Sequence, residues 1–257
     1  MSCADITLEN VALRYRLHRP LVLSGLSLHV ASNAKVAICG RTGCGKSTLF
    51  AALSRLYPTV AGRVLIGGRD VRHVPLSTLR AHSRVVSQDS FLVSGTLRQN
   101  LVMGRDIIVV DEVIWHCLDI VGMASKVRSL SLGLEAAVEE GGQNFSAGER
   151  QLLSLARALV PSQGSCAALD DWRPPRLLLC DEATASVDLL ADQKVHEVLL
   201  NLDSTVLMIC HRLQHIRRFQ QVVVMEAGRV VELGQPDQLL AVPSSRLALL
   251  CAEAGVM

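Results

Sequence analysis

The residues best suited to chemistry lie in one glycine-rich run, Gly40-Arg41-Thr42-Gly43-Cys44-Gly45-Lys46-Ser47. It has the pattern G-x-x-x-x-G-K-[ST] and stands between a predicted strand, 35–39, and a predicted helix, 46–56. The glycines allow successive backbone N–H groups to converge on phosphate oxygens, and the helix directs its positive end at the same anion. The lysine would reach the β- and γ-phosphates, and the serine hydroxyl would contact Mg²⁺. The run predicts a nucleotide site; a glycine-rich turn without a ligand is the alternative.

A second run ends in two adjacent carboxylates. Leu177-Leu178-Leu179-Cys180 is a buried-strand pattern, and Asp181-Glu182 follows it. Ligands of open α/β sheets bind at the carboxyl ends of strands, so Asp181 is placed to hold Mg²⁺ through water. Glu182, one residue further, could polarise a water for in-line attack on the γ-phosphate. By itself the run could equally be a strand entering an acidic turn; beside the phosphate loop, the functional interpretation is favoured.

The elements that would position these residues alternate between strands and helices. Period-two apolar patterns in the first thirty residues predict an antiparallel sheet region. Further along, a helix over 146–160, a strand, a helix over 189–201 and a strand over 205–210 predict a parallel α/β sheet. From about 96 to 132 the apolar residues recur at helical spacing, which predicts an all-helical insertion.

Composition excludes several classes of protein. The 257 residues carry a formal net charge of +2 without a long basic run, so nucleic acid is not an expected partner. Hydrophobic residues make up 49%, yet no apolar run approaches the roughly 18 residues that span a bilayer. The eight cysteines are scattered without metal-ligand spacing, and Cys39, Cys180 and Cys210 are predicted to be small core residues. We therefore expect a reduced, cytosolic chain.

Four further strings, in a fixed order, carry the resemblance to a known family. They are Ser87-Gln88-Asp89, Asn144-Phe145-Ser146-Ala147-Gly148-Glu149-Arg150-Gln151, Asp181-Glu182-Ala183-Thr184-Ala185-Ser186-Val187-Asp188 and Cys210-His211-Arg212. With the glycine-rich loop and Tyr15 ahead of it, they resemble the Q-loop, the signature, the Walker B motif with the D-loop, and the switch histidine of ATP-binding cassette (ABC) ATPases. The resemblance covers residues 5 to about 242.

The resemblance implies an α/β fold: a P-loop NTPase (RecA-like) core with an antiparallel β subdomain and an inserted α-helical subdomain. One ABC nucleotide-binding domain would cover 1–257. The approximate parts are 1–32 and 60–75 for the β subdomain, 33–59, 76–90 and 156–257 for the core, and 91–155 for the helical subdomain with the signature. The strings at 94–101 and 140–145 resemble the multidrug-resistance-associated (C) subfamily. Asp181-Glu182 with an intact His211 is more similar to the second cassette of that subfamily than to its first.

The family's functional residues carry over position by position, with ATP and Mg²⁺ as the implied ligands. The catalytic residues would be Glu182, His211, Gln88 and Lys46, and the metal ligands would be Ser47, Gln88 and Asp181. The nucleotide contacts would be Tyr15, Gly40, Arg41, Thr42, Gly43, Cys44, Gly45, Lys46, Ser47, Thr48, Ser146, Ala147, Gly148, Glu149 and Asp188. Tyr15 would stack on adenine, although a tyrosine that is simply part of a sheet is the alternative.

The resemblance also implies partners and a location. Two such domains would enclose two ATP molecules head to tail, with the signature helix of each capping the γ-phosphate bound by the other. The partners would be a second ABC nucleotide-binding domain and the transmembrane domains of an ABC transporter, on the same or a separate chain, without nucleic acid. Hydrolysis would drive export, and the chain would lie at the cytosolic face of a membrane within an integral membrane transporter.

The signature departs from its commonest form, Leu-Ser-Gly-Gly-Gln. Phe145 is a mild change, whereas Ala147 adds a methyl group and Glu149 brings a negative charge towards the partner's ATP. We hypothesise that Glu149 weakens the ATP sandwich; unchanged dimerisation and turnover in Glu149→Gln would contradict this. Ser146 and Glu149 also form the pattern of a capping box, worth about 1 kcal/mol, and both roles can hold because they use the same N–H groups.

Other interpretations remain open at this point. A soluble ABC ATPase of DNA repair or translation, or a catalytically weak regulatory cassette, would share the core motifs. The proline-bounded stretch 161–175 is longer than the family usually shows and is interpreted as an inert surface insertion. His116, His196 and His215 are predicted to be solvated helix residues.

Overall fold

The computed structural model describes residues 5–104, 108–161, 169–181 and 189–256. The chain divides into two compact units. The first comprises Met1–Ser83, Arg176–Glu182 and Asp203–Met257, and the second comprises Arg84–Pro175 and Ala183–Leu202. Glu182 and Asp188, both predicted site residues, lie outside the described residues.

The strands and helices are numbered along the chain. The strands are β1 Ile6–Leu13, β2 Leu23–Val30, β3 Lys35–Cys39, β4 Ala61–Ile66, β5 Arg69–Asp70, β6 Ser83–Val86, β7 Gly95–Thr96, β8 Ala137–Val138, β9 Leu177–Asp181, β10 Thr205–Ile209, β11 Gln221–Glu226 and β12 Arg229–Gly234. The helices are α1 Lys46–Leu53, α2 Leu76–His82, α3 Leu97–Leu101, α4 Asp111–Ile120, α5 Ala124–Ser129, α6 Ala147–Leu159, α7 Leu189–Asn201, α8 Pro236–Leu240 and α9 Arg246–Glu253.

The central sheet of the first unit holds the strands that end at the predicted site. Five of its strands run in the order β12-β11-β3-β10-β9, with β11, β3, β10 and β9 parallel and β12 antiparallel at the edge. All residues of β3 and β10 are buried, as expected for parallel strands covered on both faces. The predicted α/β sheet is confirmed.

An antiparallel sheet of the same unit runs in the order β2-β1-β4-β5. Ile6 pairs with Val30 on one side and with Ile66 on the other, so their side chains share one face. That face belongs to a single hydrophobic core that also includes Leu49 of α1 and Val223 of β11. The antiparallel sheet and the helix that follows the phosphate loop are therefore held by common packing.

The second unit is mainly helical within the residues described. Helix α6 packs against α3, α4 and α7, and buries Leu153, Leu155 and Leu159. The short strands β7 and β8 pair antiparallel, Gly95 with Val138. No helix in the described ranges has the length and apolarity of a transmembrane span.

The structure corrects the predicted end of α1 and the predicted solvation of three histidines. Helix α1 ends at Leu53 rather than near Leu56, because Arg55 has a left-handed φ of 50° and donates from its guanidinium to the carbonyl of Val71 at 2.7 Å. His196, a predicted solvated residue, is only 1% exposed. Its ring Nδ1 lies 3.0 Å from the carbonyl oxygen of Asp192 one turn earlier, so the helix itself supplies the polar partner that burial demands.

His116 and His215 are half-buried rather than solvated. The His116 ring packs against Trp172 edge-on, with centroids 4.6 Å apart, and the indole Nε1–H donates to the carbonyl of Leu159 at 3.3 Å. The described part of the 161–175 stretch is thus docked on helices of its own unit.

The cysteines predicted to be core residues are buried. Cys39, Cys180 and Cys210 are at most 7% exposed. Burial raises the pKa of the Cys39 and Cys180 thiols to about 12. Their thiolate forms are therefore scarce at neutral pH, which fits a packing role rather than chemistry.

Candidate nucleotide site

The glycine-rich loop joins β3 to α1 with the backbone that its sequence predicts. Gly40, Gly43 and Gly45 have φ values of 146°, 82° and 107°, a region that favours glycine. A Cβ on Gly40 would lie 2.3 Å from the carbonyl oxygen of Met225, so the loop approaches β11 too closely for any side chain. The loop ends at Gly45, whose carbonyl accepts the first helical hydrogen bond, from Leu49 at 2.9 Å.

Lys46 is held inside this loop. Its side chain is 6% exposed, and its Nζ donates to the carbonyl oxygens of Gly40 at 2.7 Å and Arg41 at 3.1 Å. The ammonium charge therefore sits where the loop's backbone turns, next to the start of α1. The sequence predicts that this ammonium and the N–H groups at the start of α1 bind one anion, and the position of Lys46 in the loop is compatible with that role.

Ser47 and Asp181 meet at the carboxyl end of the central sheet. The Ser47 hydroxyl donates to Oδ1 of Asp181 at 3.4 Å, which joins the end of β9 to the first turn of α1. A hydroxyl and a carboxylate at this separation are oxygen ligands of the kind Mg²⁺ takes beside phosphate, so the residues present fit that ion.

His211 follows β10 at the same edge of the sheet. Ile209, two residues before it, pairs with both Asp181 on β9 and Ile38 on β3. Asp181, His211 and Gly40 are thus each placed at or just beyond the carboxyl end of adjacent parallel strands, where ligands of such sheets bind. His211 is exposed.

Tyr15 lies after β1 rather than within a strand. Its hydroxyl is 2.8 Å from Oγ1 of Thr48 on α1, and its ring meets Tyr57 edge-on with centroids 4.7 Å apart. Tyr15 is 43% exposed, so one part of the ring is tied to the helix after the phosphate loop while the rest is available to solvent. The alternative of an ordinary sheet aromatic does not fit this position.

The remaining predicted residues belong to the second unit. Gln88 is exposed in the loop after β6. The signature begins α6: the Ser146 hydroxyl accepts from the backbone N–H of Glu149 at 3.1 Å, and the Glu149 carboxylate accepts from that of Ser146 at 2.9 Å. The predicted capping box is confirmed. Ala147 and Gly148 occupy the first turn, whose N–H groups have no acceptor within a helix.

Glu149 is an ionised member of this cap. The hydrogen bond from the backbone of Ser146, assisted by the charge of Lys126, holds the pKa of the Glu149 carboxyl below its usual range. The Lys126 ammonium lies 3.4 Å from Oε1 of Glu149. Phe145, just before the cap, is 4% exposed and packs as an apolar residue, which explains why it can replace leucine.

Sequence patterns miss three residues that support the site. Gly228 lies in the turn between β11 and β12, and its N–H donates to the carbonyl of Cys44 in the phosphate loop at 2.9 Å. Glu253 of α9 accepts from the Arg41 guanidinium at 2.7 Å. Tyr57 contacts Tyr15. Each contact joins residues far apart in sequence, so no local pattern could have indicated it.

Loss of the α6 cap is a direct test of the local structure. We expect Ser146→Ala to lower the free energy of unfolding by about 1 kcal/mol, because the N–H of Glu149 loses its acceptor. Urea denaturation followed by circular dichroism measures the change. Thr96→Ala, which removes the equivalent hydroxyl from the capping box of α3, should produce a loss of similar size. A Ser146→Ala protein as stable as the unmodified chain would contradict the assignment.

Comparison of the sequence with known proteins identifies a family of nucleotide-binding transport proteins. The family model described as ABC transporter matches residues 23–185. The chain is 38% identical to the metal resistance protein YCF1 of Saccharomyces cerevisiae, over all of this chain and 16% of that protein. It is 37% identical to ATP-binding cassette sub-family C member 2 of Homo sapiens, over 99% of this chain and 16% of that protein.

A solved structure is similar over the same extent. A bacterial Atm1-family ABC exporter with ATP bound superposes with a TM-score of 0.87 and 32% identity, covering 100% of this chain and 43% of that one. The resemblance to the family and to its C subfamily is confirmed, as is the P-loop α/β fold. The chain spans about a sixth of the length of its curated relatives. It belongs to the ABC transporter family.

Proposed function

We propose that this chain is an ATP-hydrolysing cassette that works in a pair and drives export of a substrate through transmembrane partner domains. The observation that carries the proposal is the hydrogen bond between Ser47 and Asp181, which joins the phosphate loop to the end of β9 in one site. The description of the superposed structure as an ABC exporter supports transport as the use of that site.

Each residue has a physical role in this proposal. Lys46 binds the β- and γ-phosphates, because the carbonyl oxygens of Gly40 and Arg41 hold its ammonium within the phosphate loop. Ser47 and Asp181, with Gln88, would hold Mg²⁺, which supplies neutralisation of the charge on the phosphate oxygens. Tyr15 would stack on the adenine with the exposed part of its ring.

Glu182 and His211 would complete the reaction centre. Glu182 follows Asp181 directly, and its carboxylate would orient and polarise the attacking water. His211 would donate a hydrogen bond to the γ-phosphate from the end of β10. Asp188 would contribute from the D-loop. The first turn of α6, with Ser146, Ala147, Gly148 and Glu149, would cap the γ-phosphate bound by the opposite cassette.

The pairing implies a location and a partner. A second ABC nucleotide-binding domain would supply the other half of each site, and transmembrane domains on the same or another chain would carry the substrate path. We infer that the cassette lies at the cytosolic face of the membrane, and that its second-cassette likeness reflects a hydrolysis-competent site.

The experiment that tests the proposal is phosphate release by the purified chain as a function of its own concentration. A composite site predicts a specific rate that rises with protein concentration, requires ATP, and disappears when Mg²⁺ is omitted. Adding the transmembrane partner in lipid vesicles should raise the rate. Absence of phosphate release at every concentration, with and without the partner, would contradict the proposal; a specific rate independent of concentration would contradict the paired site.

A further inference from the structure

The signature of this chain places a negative charge, that of Glu149, where the commonest form of the signature has a neutral glutamine. Glu149 lies in the first turn of α6, and its carboxylate is ionised because its hydrogen bond from Ser146 favours the charged form. In the proposed function, this turn faces the γ-phosphate of ATP held by the opposite cassette. Two anions facing each other repel, so an uncompensated Glu149 would oppose closure.

The structure places the ammonium group of Lys126 beside the Glu149 carboxylate. Oε2 of Glu149 accepts from the backbone N–H of Ser146 at 2.9 Å, while Oε1 lies 3.4 Å from the Nζ of Lys126 in the last turn of α5. Both carboxylate oxygens are therefore engaged within the second unit. The Lys126 side chain is half exposed and that of Glu149 is 27% exposed, so the pair stands at the surface rather than in the core.

The pair contributes little to folding. Ion pairs this exposed are screened by water and salt and stabilise folded proteins weakly or not at all. The chain has only four lysines, and Lys46 serves the phosphate loop. Lys126 pairs with Glu149, the acidic residue at which this signature departs from its commonest form. Because the pair adds little to stability, we explain it by the negative charge that it neutralises at the start of α6.

We propose that Lys126 is a positioning residue of the nucleotide site, which balances the charge of Glu149 so that the start of α6 can approach the anionic ATP of the opposite cassette. This rests on the proposed function. It refines the hypothesis that Glu149 weakens the sandwich: the weakening is offset while Lys126 is present and appears in full when it is removed.

The decisive test is ATP-dependent dimerisation, measured by light scattering in the Glu182→Gln background with Mg²⁺ present. We expect Lys126→Ala to raise the ATP concentration for half-maximal dimerisation by about 3- to 10-fold, and added Glu149→Gln to restore it to the unmodified value or lower. The matched control is Lys194→Ala, which removes a lysine of similar exposure lying 3.8 Å from Glu197 on α7. That control should leave dimerisation unchanged.

A second measurement needs no nucleotide. The Glu149 carboxyl can be titrated by NMR in the ATP-free protein, and Lys126→Ala should raise its pKa while leaving the thermal midpoint nearly unchanged. The proposal is overturned if Lys126→Ala behaves like Lys194→Ala, if Glu149→Gln fails to restore the double variant, or if the Glu149 titration does not move. Failure of the unmodified chain to bind ATP or dimerise would instead count against the proposed function.

Discussion

Replacing Glu182 with glutamine is expected to reduce ATP hydrolysis by a factor of about 10² to 10⁴ while leaving ATP binding nearly intact. Glutamine has the shape of glutamate but no negative charge, so it can no longer polarise the attacking water. The phosphate contacts of Lys46 and the pair of Ser47 with Asp181 belong to other residues and should persist. The expected result is a protein that binds ATP and dimerises but turns over slowly.

Steady-state phosphate release and equilibrium binding of ATP measure the two effects separately. Glu197→Gln makes the same chemical change on the exposed side of α7 and should alter neither quantity. If Glu182→Gln retained more than about a tenth of the activity, the carboxylate would not be the base, because general-base catalysis contributes at least about 10²-fold. If ATP binding fell along with turnover, Glu182 would have a binding role instead.

Gly228→Ala is expected to destabilise the folded protein strongly. Gly228 has a φ of +75°, and a Cβ there would lie 2.0 Å from the carbonyl oxygen of Val22. The collision cannot be relieved by rotating a side chain, since the neighbouring atom is backbone. The Gly228 N–H bonds to Cys44 and its carbonyl accepts from Ser24 at 3.1 Å, so a shift would also move the phosphate loop. We expect a loss of about 3 kcal/mol or more in unfolding free energy.

Gly25→Ala is the matched control, because it introduces backbone strain without a steric collision. Gly25 has a φ of +69°, but a Cβ there would meet no atom within 4 Å. Its replacement should cost about 1–2 kcal/mol, the strain of the left-handed conformation alone. Urea denaturation gives both values, and ATP affinity should fall only in Gly228→Ala. Equal effects of the two variants on stability and affinity would contradict a supporting role for Gly228.

Local patterns in the sequence predict the parts of the fold and site that depend on neighbouring residues. The phosphate loop needs glycine at fixed offsets, and β9 needs a short apolar run followed by acids, so both can be recognised from residue types and spacing alone. Helix α7 can be placed from the sequence by its helical spacing of apolar residues. The division into three subdomains and the functional roles of all the predicted site residues, Glu182 and Asp188 included, stay predictions.

The contacts that join distant segments could not be predicted in this way. His196 is a polar residue on a helix, and its burial depends on a partner, Asp192, whose own burial follows from the packing of α7. Arg41 is predicted as part of the phosphate loop, but nothing in the sequence pairs it with Glu253, and only the folded chain brings the two side chains to 2.7 Å. Periodicity describes which face of an element is apolar, but not which other element covers it.

The bond between Gly228 and Cys44 has a consequence for how the protein is made. A chain still being synthesised contains the complete phosphate loop early, and it has every sequence motif of the family once His211 has emerged. Its loop nevertheless lacks one of its supports until the β11–β12 hairpin follows, because only then can Gly228 donate to the Cys44 carbonyl. A fragment that stops after His211 would thus carry all the recognisable signatures and still lack the backbone hydrogen bond from Gly228 to the phosphate loop.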